Sequence, residues 1–241
     1  METNRVRLSV NINKVALIRN SRGGNMPDLI RIAQDIESYG AEGITIHPRP
    51  DQRHIRYSDI PDLKTVVRTE LNIEGYPDEV FMRQVLEHKP HQCTLVPDSP
   101  SALTSDHGWD TIKNRSLLTN VITELKRAGI RVSLFVDPSP DMVYGAAIAG
   151  ADRIELYTGP YAAAFAIDPV AAVNQHIRAA HAAERAGLGV NAGHDLNLDN
   201  LRYYKNAIPN LLEVSIGHAL ICDALYYGLA NVVGMYRRQL S

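Results

Sequence analysis

Short apolar runs rich in β-branched residues recur about eight times along the chain, each followed by a stretch whose apolar positions repeat at helical spacing. Residues 6–12 alternate apolar and polar side chains and read as the first strand. Residues 43–47, 71–75, 92–96, 131–136, 153–157, 188–194 and 212–218 read as the strands that follow. Helices are expected over 29–39, 58–67, 78–87, 117–128, 141–149, 169–187, 198–205 and 219–238, several of them stopped by a glycine. Asp168 and Pro169 form a cap and a first helical residue, while residues 19–25 read as a polar loop. Strand–helix units with short connections over 241 residues predict an α/β fold, a (β/α)8 TIM barrel. With no linker or break in composition, residues 1–241 are expected to form a single domain with extra helical decoration. The competing open, doubly wound sheet would favour a glycine-rich phosphate fingerprint, and no GxGxxG or Walker pattern occurs.

In such a barrel, ligands gather where the strands end, so the polar residues at the exits are the candidates. The second strand runs straight into His47, Pro48, Arg49, Pro50 and, beyond them, Arg53 and His54. It therefore delivers a titratable base and fixed cations to that edge. Asn11 and Asn13 end the first strand, Glu74 the third and Glu155 the sixth; His194 and His218 follow the seventh and eighth. Asn11 or Asn13 alone is equally a turn residue, and Glu155 beside Arg153 also suits a plain alternating strand. Glu74 interrupts an apolar strand, where a carboxylate is costly unless paired or used. His88, His91, His176 and His181 fall on helices or strand starts and read as surface or packing residues. Gly193 and Gly217 permit close approach of an anion, and the helix after Gly217 turns free N–H groups towards it. Arg22, Arg49, Arg53 and His54 form a second candidate anion site. The Ser/Pro/Asp/Gly-rich residues 98–109 read as a lid or binding loop. Acids and bases between two anion anchors suggest proton-transfer chemistry on phosphorylated metabolites.

A formal charge of −2, no block of like charges and 6% aromatics argue against a nucleic-acid partner. No apolar run approaches a bilayer span, so no membrane role is expected. Without a signal-peptide pattern, Cys93 and Cys222 read as reduced thiols of a cytoplasmic protein. Metal is the rival use of the same side chains. Barrel metallohydrolases usually open with a His-x-His pair on the first strand, where this chain has Asn11-Ile12-Asn13. With no HExxH or cysteine-rich spacing, neither a metal nor another cofactor is expected.

Taken together, Val10-Asn11-Ile12, Arg19-Asn20-Ser21-Arg22-Gly23, Gly43-Ile44-Thr45-Ile46-His47, Arg53-His54-Ile55, Asn72-Ile73-Glu74, Ile154-Glu155, Val190-Asn191-Ala192-Gly193-His194 and Ile216-Gly217-His218-Ala219 are specific. So ordered, they make the chain resemble the pyridoxine 5′-phosphate synthase family. The resemblance implies condensation of 1-deoxy-D-xylulose 5-phosphate with 3-amino-2-oxopropyl phosphate, releasing phosphate and water. By that analogy His47 and Glu74 are bases, His194 a general acid and Glu155 a stabiliser of charged intermediates. Asn11, Arg22, Gly193, Gly217 and His218 are expected to contact the amino-ketone phosphate. Arg49, His54 and Thr104 are expected to hold the sugar phosphate. Many family members carry Asp-His after the first Asn-Ile; Asn13 and Lys14 stand there instead, and Asn13 can bond a sugar hydroxyl but cannot act as a base. The family also implies a homo-octamer, a tetramer of dimers. Without the resemblance, the same residues also suit a phosphosugar epimerase or isomerase, or a product-binding protein without turnover.

Overall fold

In the computed structural model, which describes residues 5–98 and 106–241, eight parallel strands close into a barrel in sequence order. The first quarter of the chain holds β1 (Arg7–Asn11), α1 (Asn13–Asn20), α2 (Leu29–Ser38), β2 (Gly43–Ile46) and α3 (Asp59–Val66). Then come β3 (Glu70–Gly75), α4 (Glu79–His88), β4 (Gln92–Leu95), α5 (Arg115–Arg127) and β5 (Arg131–Val136). Next are α6 (Pro140–Ala149), β6 (Arg153–Leu156), α7 (Gly159–Phe165), α8 (Pro169–Ala186) and β7 (Gly189–Gly193). The chain closes with α9 (Leu201–Ala207), β8 (Leu211–Ile216), α10 (His218–Tyr227) and α11 (Leu229–Leu240). Val10 pairs with Ile44 on one side and Ile216 on the other, which seals β1 between β2 and β8.

Alternation along the strands sorts the side chains into two layers. Leu8, Val10, Ile44, Ile46, Leu71, Ile73, Leu134, Ile154, Val214 and Ile216 are buried in the apolar cluster shared with the helices. Most of the intervening positions are polar, and several bond to one another from strand to strand inside the barrel. Ser9 meets Thr45 at 2.8 Å, Asn72 donates to Thr45 at 3.4 Å, and Thr94 donates to Asn72 at 3.0 Å. At the strand starts the inner layer is ionic. Arg7 reaches Glu70 at 3.1 Å and Glu213 at 3.6 Å, Arg153 reaches Glu213 at 3.7 Å, and Arg131 pairs with Glu70. The end of the barrel opposite the strand exits is thus plugged by paired charges.

Helices form where caps and apolar stripes agree. Asp28 accepts from the N–H groups of Ile30 and Arg31 to open α2, and Asp168 accepts from Val170 and Ala171 to open α8. Three differences from the sequence expectation have local causes. Residues 13–20 are helical although the loop was expected from residue 19; Ile12 offers no side-chain cap, so no start signal precedes α1. The short α7 begins at Gly-Pro and buries only Tyr161. The last helix is two, because Gly228 adopts φ 78° and ψ 142°, outside helical geometry. Among the described residues no helix is long and apolar enough to cross a membrane.

Candidate active site

The strand exits of β1, β2 and β3 are tied together by two asparagines. Asn11 Oδ1 accepts from the Asn13 N–H at 3.0 Å, and Asn11 Nδ2 lies 3.4 Å from Glu74 Oε2. Asn13 Oδ1 in turn accepts from the His47 N–H at 2.9 Å. Arg49, almost fully buried, pairs with Asp98 beyond β4 at 2.6 Å. From behind, the end of α1 clamps the segment after β2. Both Nη atoms of Arg19 reach the Asp59 carboxylate at 2.8 Å, and Nη2 also donates to the His54 carbonyl at 3.2 Å. Asn20 Nδ2 donates to the carbonyls of His54 and Arg53 at 2.7 and 3.1 Å.

On the far side, β7 leaves the barrel through a tight turn in which Leu196 N–H reaches the Gly193 carbonyl at 3.3 Å. His194 sits in that turn at φ 52°, a left-handed conformation that costs a residue other than glycine roughly 1–3 kcal/mol. Its Nδ1 lies 2.8 Å from Asp195 Oδ2. Gly193 has no room for a side chain: a Cβ there would stand 2.2 Å from the Ser215 carbonyl and 3.1 Å from Glu155 Oε1.

These exits enclose a cavity of about 750 Å³, within the usual range of ligand sites. Its walls carry Lys14, Arg49, Arg53 and His54 on the β1–β2 side, Glu74 and Glu155 at the floor, and His194 and Asp195 opposite. Gly217, His218 and Ala219, at the N-terminus of α10, complete the rim.

Burial and neighbouring charges divide the titratable groups. Burial, with Arg49, His54 and Arg53 adding to it, holds His47 well below the usual imidazole range, so it is neutral. His54 is pushed down to about 4 by burial and by Arg49 and Arg53. Its Nδ1 lies 3.0 Å from the Ile55 N–H, so Nδ1 accepts and the ring proton resides on Nε2. Burial drives Glu74 well above the carboxylate range, with repulsion from Glu155 and Asp98 adding and Arg49 opposing. Burial likewise pushes Glu155 up to about 7. For His194 burial acts downwards but is outweighed by the Asp195 bond and the charges of Asp195, Glu155 and Asp98, which leaves it raised. One side of the cavity thus offers a neutral imidazole, the other an imidazole that favours its proton, and the floor two carboxyls that resist ionising together.

The sequence pattern of the family described as "Pyridoxal phosphate biosynthesis protein PdxJ" matches residues 8–241. The chain belongs to the PdxJ family. Among its relatives, the pyridoxine 5′-phosphate synthase of Cytophaga hutchinsonii is 63% identical over 235 residues, covering 98% of this chain and 99% of that protein. That of Bacteroides fragilis is 59% identical, covering 97% and 99%. Among solved structures, a tryptophan synthase chain from M. tuberculosis aligns with a TM-score of 0.64 at 10% identity, covering 99% of this chain and 94% of that one. A 4-hydroxy-2-oxoglutarate aldolase superposes with a TM-score of 0.63 at 18% identity, covering 99% and 96%. These two likenesses speak to the barrel alone.

Of the residues singled out from sequence, this PdxJ-family barrel brings Asn11, Asn13, Lys14, His47, Arg49, His54, Glu74, Glu155, His194, Gly217 and His218 to one cavity. Gly193 supports the wall from beneath, between Glu155 and Ser215. Arg22 is exposed and does not line the cavity. Thr104 lies outside the described residues, as does most of the expected lid. His176 is a packing residue as expected, fully buried and 2.9 Å from the Tyr204 hydroxyl. Sequence reasoning passed over Asp98, Thr158 and Asp195. Asp98 follows β4 directly and Asp195 follows His194, so position at a strand exit was the available signal. Among the described residues no three His, Cys, Asp or Glu side chains are grouped to hold a metal.

Proposed function

We infer that this chain is a pyridoxine 5′-phosphate synthase, joining 1-deoxy-D-xylulose 5-phosphate to 3-amino-2-oxopropyl phosphate with release of phosphate and water. The observation that carries the reading is the family match from residue 8 to 241 on a chain that keeps His47, Glu74, Glu155 and His194 around one cavity. The cavity's cationic side and the α10 N-terminus suit two phosphates held apart, with the reacting carbons between. Arg49 and His54 serve the sugar phosphate with Thr104; Gly217 and His218 serve the amino-ketone phosphate with Asn11, backed by Gly193, while Arg22, away from the cavity, takes no part in this arrangement. Asn13 and Lys14 face the sugar, Asn13 through hydrogen bonds and Lys14 through charge.

Protonation states support the division of labour. Imine formation between amine and ketone needs a donor to the departing water, and the raised His194 supplies that proton. Forming the enol needs a base, and neutral His47 removes the proton on carbon; Glu74 serves as the second base only after giving up the proton that burial holds on it. Glu155, raised to about 7 by burial, balances positive charge on nitrogen as it develops. None of these steps transfers electrons to a separate acceptor, so this residue set suffices without a redox group.

The same reading makes the chain a single domain, cytoplasmic, and part of a ring-like homo-octamer, a tetramer of dimers. The exposed Leu225, Tyr226 and Tyr227 at the end of α10 support contact between copies. Light scattering of the purified protein tests this, and a mass of one 26.7 kDa chain would refute it.

The deciding experiment mixes the protein with both substrates and looks for pyridoxine 5′-phosphate. Phosphate release is expected only when both are present; turnover of a single phosphorylated ketose would point to an isomerase instead. Glu74→Gln and His194→Asn are expected to fold and to lose roughly 10²–10⁴-fold in kcat. Unchanged product yield in both would remove their roles.

A further inference from the structure

His194 occupies an uncommon backbone conformation at the cavity wall, and the residues that hold it there come from two different strands. Thr158, fully buried just past β6, places its hydroxyl against both sides of the His194 peptide unit. The Oγ1 donates to the Gly193 carbonyl and accepts from the Asp195 N–H at 3.2 Å. The His194 N–H itself reaches the Ser215 carbonyl of β8 at 3.1 Å. The turn is therefore fixed before, at and after the histidine. Beyond it, Asp195 Oδ2 stands 2.8 Å from the imidazole Nδ1, and the Tyr157 ring meets the imidazole edge-on, 6.2 Å between centroids.

We propose that Thr158 and Asp195 are the positioning residues of the proton donor: Thr158 locks the left-handed turn that presents His194, and Asp195 holds Nδ1–H so that proton exchange with substrate runs through Nε2. This rests on the reading of His194 as the general acid. The chemical logic is that of a carboxylate behind an imidazole. An ionised carboxylate only accepts, so the facing nitrogen keeps its proton, and both tautomer and ring orientation are set. The carboxylate also stabilises the imidazolium. The groups facing His194 are Asp195 from its own turn, Glu155 and Tyr157 from β6 and its exit, Asp98 from beyond β4 and the imidazole of His47 after β2. The acidic ones act with Asp195 to hold the proton, so removing Asp195 weakens that hold without abolishing it. The threonine acts differently. Its hydroxyl touches no group that reacts; losing it frees a turn that His194 does not otherwise favour.

The two residues predict different signatures. Asp195→Asn keeps the size of the side chain and removes its charge. If His194 must be protonated to act, activity is lost as pH rises through its pKa. The variant is expected to move that alkaline limb of the kcat profile to lower pH, and to lower the His194 titration followed by NMR. Thr158→Val is expected to reduce kcat about tenfold with little change in KM, and Thr158→Ser to restore most of it. Where Thr158→Val fails to fold, the comparison of Thr158→Ser with wild type decides: the serine keeps the hydroxyl and is expected to retain near-normal kcat. An Asp195→Asn profile and titration superimposable on wild type would overturn the role of Asp195. Equal loss in Thr158→Val and Thr158→Ser would overturn that of Thr158. His194→Asn is the separate control: if it turns over normally, the general-acid reading fails whatever the other variants do.

Discussion

Glu155 shows how a single side chain can trade stability for chemistry. Burial pushes its carboxyl up to about 7, above the value near 4.3 of a free glutamate. The stability that goes with a raised folded value is complete below the unfolded value and is lost as pH climbs through about 7. Glutamine cannot ionise, so Glu155→Gln is expected to gain stability relative to wild type between pH 5 and pH 8. The gain is on the order of 3 kcal/mol at most, read as a shift in denaturation midpoint at the two pH values. The same offset at both would refute an ionisation-linked cost. Synthesis should fall in the same variant, the usual relation between a strained site and its function. At this scale the sequence was informative where polarity broke a pattern. Glu74 and Glu155 were visible as carboxylates in apolar strands, and His47 and His194 as imidazoles at strand ends. Thr158 was not, because a threonine after a strand is common and what sets it apart is the carbonyl and the N–H it reaches at the exit of the neighbouring strand.

Among the elements, α1 has the most local consequence. Its last turn, through Arg19 and Asn20, holds the carbonyls of Arg53 and His54 while their side chains line the cavity. Arg19→Met leaves Asp59 buried without its cation, which is expected to cost about 3–5 kcal/mol. It should also raise KM for the sugar phosphate more than it lowers kcat, since the loop it loosens binds and does not react. A stability loss with both kinetic constants intact would make the pair purely structural. This helix was hidden from a sequence reading because no side-chain cap announces it and its polar ends resemble a loop. The strands were plain, since their two-residue alternation survives without any partner. The break at Gly228 was missed for the opposite reason: the apolar spacing continues on both sides, and only the backbone angle records the interruption.

On the scale of the whole barrel, the two ends have different tasks. Ionic pairs plug the end where the strands begin, and the cavity occupies the end where they finish. Glu70→Ala would leave Arg131 without its carboxylate and Arg7 with Glu213 as the remaining partner, and is expected to lower stability by roughly 1–2 kcal/mol while kcat and KM stay as they are. A changed kcat in a protein of normal stability would show that the ends communicate. Closure in sequence order was expected from the strand count; that the barrel's interior is mostly polar, with Phe135 and Val96 as apolar exceptions at the cavity, was not, because alternation tells which residues share a face and not which face turns inward. The His54 imidazole, whose Nδ1 is already occupied by the Ile55 N–H, has a consequence for how the molecule meets its ligand. That ring cannot take up a second proton without first surrendering a backbone partner, so the positive charge offered to the sugar phosphate comes from Lys14, Arg49 and Arg53 and not from His54. Between about pH 5 and pH 8, titration calorimetry should find the same shape of pH dependence of sugar-phosphate affinity in wild type and in His54→Asn, as though this imidazole were deaf to acidity that its neighbours hear.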